Sequence, residues 1–226
     1  ELGLLKMDFL GLRNLTVLED AARRVRRRVP DFQVERIPLD DKKTFDMLAA
    51  GRTVGVFQLE SAGITSVCMG LRPRSIEDIT AVIALYRPGP MESIPRFLAC
   101  SAHPERITYQ HPLLEPILAV TYGCIVYQEQ VIEIFRQLAG FSLGQADMIR
   151  RAMSKKKEAV ITAERAAFVH GDPERGIPGA VARGVPEQTA NDIYDEILAF
   201  ASYAFNKAHA VSYAIVSYRT AYMKRN

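Results

Sequence analysis

Ser142-Leu-Gly-Gln-Ala-Asp-Met-Ile-Arg-Arg-Ala-Met-Ser-Lys-Lys-Lys157 opens on a helix-start signal: Gln145 follows Ser142 at the spacing of a capping box. A helix carried through Ser154 sets Arg150, Ser154 and Lys157 at i, i+4 and i+7 on one face. Arg151 and Lys155 form a second row beside it. Asp147 is the one acid in this stretch, so local ion pairs are expected to leave the cations unconsumed. Such a surface attracts phosphate, because guanidinium forks bind phosphate oxygens bidentately and ammonium groups add point charge. A solvated basic face of an ordinary helix carries the same pattern, and the stretch alone leaves both readings open.

Helical patterns continue on either side. Upstream, Glu129–Ala139 reads as a helix stopped by Gly140, preceded by the turn Thr121-Tyr-Gly-Cys124 and a short strand at Ile125–Tyr127. Pro112–Leu118 is a short helix with proline in its first turn. Downstream, helices are expected over Glu158–Val169, Glu187–Phe200 and Ala210–Lys224. Residues 170–186, rich in Gly and Pro, form a surface loop, and Tyr203–His209 interrupts the last two helices.

In the first half, Leu15, Leu18, Ala22, Val25 and Val29 make one apolar face, five arginines between Arg23 and Arg28 occupy the rest, and Pro30 closes the helix. Asp40–Ala50 reads as a short helix, and Thr53–Leu59 alternates like a strand. Ser75-Ile-Glu-Asp78 opens the helix Ile76–Tyr86, which Arg87-Pro-Gly-Pro90 must end. Glu1–Leu10 reads as a strand with Lys6 and Asp8 on one face, either an exposed ion pair or the rim of an active site. The expected fold class is mainly α with a few short strands, an α+β arrangement.

With 226 residues, 48% of them hydrophobic, the chain has material for a sizeable core. A net charge of +3 is too mild to name a partner, although the cations cluster. Three dispersed cysteines form no C-x-x-C, which argues against a disulfide framework or zinc site and suits a reducing, cytoplasmic setting. The absent initiator Met and the ends within apparent secondary structure suggest a piece of a longer protein. No phosphate-loop, dinucleotide-fold, zinc-protease or nucleophile-elbow signature is present, and the four histidines lack metal-ligand spacing. Phe205-Asn-Lys-Ala-His209 joins an aromatic to cations, as a base-stacking and phosphate-contacting surface would. A helix junction whose Asn and His satisfy backbone groups fits it equally.

Read together, several segments carry a resemblance. They are Leu5-Lys-Met-Asp-Phe-Leu-Gly-Leu12, Pro38-Leu-Asp-Asp41, Gly55-Val-Phe-Gln-Leu-Glu-Ser61, Leu85-Tyr-Arg-Pro-Gly-Pro90, Thr121-Tyr-Gly123 and Tyr127-Gln-Glu-Gln130. Ala146–Met153 with Lys155–Lys157, and Phe205-Asn-Lys207 with His209, complete the set. In this order they resemble the C-family DNA polymerases, the bacterial replicative DNA polymerase III alpha subunits. The resemblance implies that residues 1–12 are the last palm strand and its exit and residues 13–226 the fingers domain.

It also implies a function: addition of deoxynucleotides to a primer 3′-OH on a DNA template with two Mg²⁺ ions. Asp8 would be a metal ligand, and Lys6 would contact the incoming dNTP. Arg150 and Arg151 would bind its triphosphate, with Asn206, Lys207 and His209 nearby. Lys155, Lys156 and Lys157 would meet DNA backbone. Implied partners are primer-template DNA, the rest of the alpha subunit, a sliding clamp and other replisome subunits. Two departures qualify this. The family's D-x-D strand is missing, so the segment should not polymerise alone and would act as a nucleotide- or DNA-binding module. Many relatives also read G-F-N-K-S-H where Ala204-Phe-Asn-Lys-Ala-His209 stands here. An error-prone paralogue of the same family is a further alternative.

Overall fold

The computed structural model describes residues 3, 7, 11–87, 90–154, 158–201, 203 and 205–226. Eleven α-helices occupy them: α1 (Arg13–Arg26), α2 (Lys42–Ala49), α3 (Ala62–Leu71), α4 (Ile76–Leu85), α5 (Ile94–Ala102), α6 (Glu115–Leu118), α7 (Gln128–Ala139), α8 (Leu143–Ser154), α9 (Glu158–His170), α10 (Glu187–Ala201) and α11 (Lys207–Arg225). Two apolar clusters organise them. Helices α1–α5 and α11 share the first, and α6–α10 the second.

The first cluster forms around α4, which is buried from Asp78 to Leu85. Its Ser75 side chain accepts from the Asp78 N–H, while the Asp78 carboxylate accepts from the Ser75 N–H, the expected capping box. Helix α11 approaches it through Ala210, Ala214, Ser217 and Ala221, a row of small buried residues stepping by three and four. Tyr218 beside that row packs on Phe45, and its hydroxyl accepts the Asp41 N–H at 2.8 Å. The second cluster centres on Phe135, whose ring lies 5.0 Å from Phe168 and 5.9 Å from Tyr194. Residues 170–186 pack onto it with Ile177, Ala180 and Val185 buried.

The expected α+β class is overturned: among the described residues there is no β-strand, only isolated bridges at Tyr127–Phe205 and Asp172–Ile177. The terminal palm strand expected at Glu1–Leu10 lies outside the described residues, apart from residues 3 and 7. Over Thr53–Leu59 the alternation has a different cause. Gly55 and Gln58 take left-handed φ of 74° and 62°, so the chain makes successive tight turns closed by Val56 N–H to Thr53 and Leu59 N–H to Val56. The Phe57 N–H, which a strand would direct to a neighbour, donates to Thr220 Oγ of α11 at 3.0 Å.

The short strand expected at Ile125–Tyr127 does not form; apart from an isolated bridge at Tyr127, these residues link the turn at Thr121–Cys124 to α7 and contact both clusters. Cys124, Val126 and Tyr127 belong to the first, and Ile125 to the second. Tyr127 bridges Phe205, but among the described residues this pairing does not extend into a ladder.

The start of α7 is held by Gln130. Its buried amide accepts from the Val126 and Tyr127 N–H groups at 2.8 and 3.0 Å. It donates to the Ile117 carbonyl at 3.2 Å and Thr121 Oγ at 2.7 Å. All four hydrogen-bonding positions of the amide are thereby used. Replacing Gln130 by alanine orphans several buried groups, so urea unfolding should show a loss of about 2–4 kcal/mol.

Candidate functional site

The Ser142–Lys157 stretch enters its helix as expected: the Ser142 N–H donates to Gln145 Oε1 at 2.8 Å, and the Gln145 N–H to Ser142 Oγ at 3.3 Å. Helix α8 then runs to Ser154, and Lys155, Lys156 and Lys157 lie outside the described residues. Arg150 and Arg151 differ in setting, their side chains being 27% and 69% exposed.

The expectation that their charges stay unconsumed is corrected. Asp147 lies three and four residues before them, within reach of both. Its Oδ1 accepts from Arg150 Nε at 2.8 Å and its Oδ2 from Arg151 Nε at 2.7 Å. Arg150 Nη1 also donates to Gln128 Oε1 at 3.1 Å. The site is therefore a pair of oriented guanidinium groups with a carboxylate between them.

Gln128 opens α7, and the same turn meets the Phe205–His209 segment. The Gln128 N–H donates to the Phe205 carbonyl at 2.9 Å. The Glu129 carboxylate accepts from Asn206 Nδ2 at 2.9 Å and from the Lys207 N–H at 2.9 and 3.1 Å. Asn206 is also the N-cap of α11, its Oδ1 accepting the His209 N–H at 2.9 Å. Lys207 Nζ pairs with Glu77 at 3.1 Å and lies 5.4 Å from the buried Tyr127 ring. Burial raises the Tyr127 hydroxyl's pKa, so it stays neutral.

An open cleft of about 640 Å³ adjoins this junction, lined in part by Tyr86, Arg87, Phe205, His209 and Tyr213. The Arg87 guanidinium stacks 4.0 Å from the Phe205 ring centroid and donates to the Tyr203 carbonyl at 2.8 Å. The His209 ring stands 4.3 Å from that of Tyr213 and 5.4 Å from that of Phe205.

Of the residues named from sequence, Arg150, Arg151, Asn206, Lys207 and His209 are described. The first turn of α7 ties Arg150 to Asn206 and Lys207. Lys6 and Asp8 lie outside the described residues. Among the described residues no group of three or more His, Cys, Asp or Glu is placed to hold a metal ion, so these residues do not by themselves fit a Mg²⁺ pair. Sequence reasoning quoted Gln128 and Glu129 within the Tyr127–Gln130 segment of the resemblance but gave them no role, and it missed Glu77 and the pairing role of Asp147. Only Asp147 had a local signal, its i+3 and i+4 arginines.

Hydrogen bonding from Arg150, reinforced by Arg151, holds the Asp147 carboxyl below its ordinary pKa. A depressed carboxyl contributes stability above its unfolded pKa and loses that contribution as pH falls through the folded value. Carbon-detected NMR should therefore place the Asp147 midpoint below that of an unpaired aspartate. In the Arg150→Ala, Arg151→Ala double variant it should return to the ordinary range.

Comparison with known proteins adds the family. A model of the bacterial DNA polymerase III alpha subunit finger domain matches residues 14–176. The chain is 52% identical to the DNA polymerase III subunit alpha of Halalkalibacterium halodurans over 225 residues, 99% of this chain and 19% of that protein. It is 50% identical to that of Thermus aquaticus over 229 residues, 99% of this chain and 18% of that protein. For Borreliella burgdorferi the figures are 46% over 226 residues, 100% of this chain and 19% of that protein. The chain thus spans about a fifth of the length of the curated relatives it matches. On the extent of the family match and on identities near one half along its whole length, the chain belongs to the bacterial DNA polymerase III alpha subunit finger domain family.

Proposed function

We propose that this chain is the end of the palm (residues 1–12) and the fingers (residues 13–226) of a DNA-directed DNA polymerase. The parent would add deoxynucleotides to a primer 3′-OH in chromosomal replication. The single observation that carries the nucleotide-binding part is the junction at the start of α7, where Gln128 bonds Arg150 while Glu129 bonds Asn206 and Lys207.

An incoming dNTP brings a polyanionic tail, and phosphoryl transfer increases the charge on the departing pyrophosphate. Arg150 and Arg151 are suited to it: their planes are set by Asp147, and the pair to the exposed Arg151 yields to a stronger anion at small cost. Lys207 adds a third cation, and His209 and Phe205 offer ring faces to a base. Lys6 would reach the triphosphate. Asp8 would hold Mg²⁺ together with two aspartates from outside this chain, where the metal would supply charge neutralisation at the reacting phosphate. Lys155, Lys156 and Lys157 are assigned to the DNA backbone.

The remainder of the alpha subunit, primer-template DNA, a sliding clamp and other replisome subunits are the inferred partners, and the cytoplasm the inferred location. No helix among the described residues is long and apolar enough to cross a membrane. Taken alone the chain reads as a binding module, because Asp8 is the only one of the three required aspartates for which it has a candidate.

In the full-length polymerase, Arg150→Ala and Arg151→Ala should each raise the KM for dNTP about 10- to 100-fold, the loss of one charge-assisted bond pair. Unchanged KM with lowered melting temperature would make the pair structural. Asp8→Ala should abolish primer extension; retained extension would end its assignment as a metal ligand. Alanine at Lys155, Lys156 and Lys157 together should flatten the log–log salt dependence of DNA binding by about two to three.

A further inference from the structure

We propose that Gln128 and Glu129 are positioning residues for nucleotide binding, holding Arg150 and the Asn206–Lys207 pair from one rigid helix start. The inference rests on the nucleotide reading given above. Neither residue is offered as a contact to the nucleotide.

The geometry assigns them separate tasks. Gln128 Oε1 accepts from Arg150 Nη1, while Asp147 takes Nε of the same guanidinium, so two points define its plane. The Gln128 N–H meanwhile holds the Phe205 carbonyl, which fixes the chain just before Asn206. Glu129 accepts from the Asn206 side chain and from the Lys207 N–H. That N–H belongs to the first turn of α11, where no intrahelical acceptor exists. Glu129 lies in the first turn of α7 as well, so its carboxylate sits at two helix N-termini, where negative charge is favoured.

Gln130, next in sequence, anchors this turn through its fully bonded buried amide. Consecutive residues therefore run from buried anchor to side-chain clamp. A binding group held before its ligand arrives needs less reorganisation on binding, which lowers the KM for that ligand selectively.

The test is steady-state single-nucleotide incorporation by the full-length polymerase carrying this segment, using one dNTP and a fixed primer-template. Gln128→Ala and Glu129→Ala should each raise the dNTP KM about tenfold, with primer-template affinity within about twofold of the parent. Gln128→Ala should add nothing to Arg150→Ala, because both remove the same interaction. Parental KM in Gln128→Ala and Glu129→Ala, beside raised KM in Arg150→Ala and Lys207→Ala, overturns the positioning role alone. Parental KM in Arg150→Ala and Lys207→Ala removes the nucleotide reading and this inference with it. Equal losses of nucleotide and primer-template affinity together with a lower melting temperature reduce both residues to structural supports and overturn the proposal. Should Glu129→Ala fail to fold, Gln128→Ala and its double variant with Arg150→Ala decide the question.

Discussion

The buried amide of Gln130 is the constraint on which the site depends. It joins the end of α6, the turn at Thr121 and the extended backbone at 126–127 to the first turn of α7. A side chain with two donors and two acceptors is rarely satisfied so fully away from water. When it is, the geometry around it becomes unique, because any shift leaves a buried group unpaired. The start of α7 is thereby the best-defined point between the two apolar clusters. The groups assigned to the nucleotide are attached to that point by side chains one and two residues earlier.

The cations of the site share a design. Asp147 stands between Arg150 and Arg151, and Glu77 stands at Lys207. These acids orient the cationic groups, from the partly buried Arg150 to the exposed Arg151. The exposed Arg151 side of this arrangement contributes little to folding, which leaves that cation exchangeable. An acid so placed acts as a holder for the cation until a polyphosphate displaces it. Fold stability rests elsewhere, in the small-residue row of α11 against α4 and in the Phe135, Phe168 and Tyr194 rings.

Much of the helical framework was legible in local pattern, because capping boxes at Ser75 and Ser142 and the glycine stop at Gly140 depend on neighbours three or four residues away. Helix α3 was not, since Gly63, Gly70 and β-branched Ile64, Thr65 and Val67 weaken its propensity and tertiary burial of Ile64, Val67 and Leu71 overrides that. The strand expected at Thr53–Leu59 failed because alternation of buried residues also arises from consecutive turns. In the site, Arg150, Asn206 and Lys207 came to notice through charge and resemblance. Glu129 stood in a quoted segment of the resemblance but drew no role, because its partners lie 77 and 78 residues away and no local spacing encodes them.

The connecting segment at Cys124–Tyr127 has a consequence for how this chain can vary. Ile125 belongs to one core and Cys124, Val126 and Tyr127 to the other, so residue identity there is free to drift within each core's volume. Its length is not. Adding or removing a single residue would displace Ile125 from its core and shift the first turn of α7 relative to the Asn206–Lys207 pair that it bonds. Insertions and deletions in related sequences should therefore collect in exposed connections and skip this short segment, whose only spare variable is side-chain size.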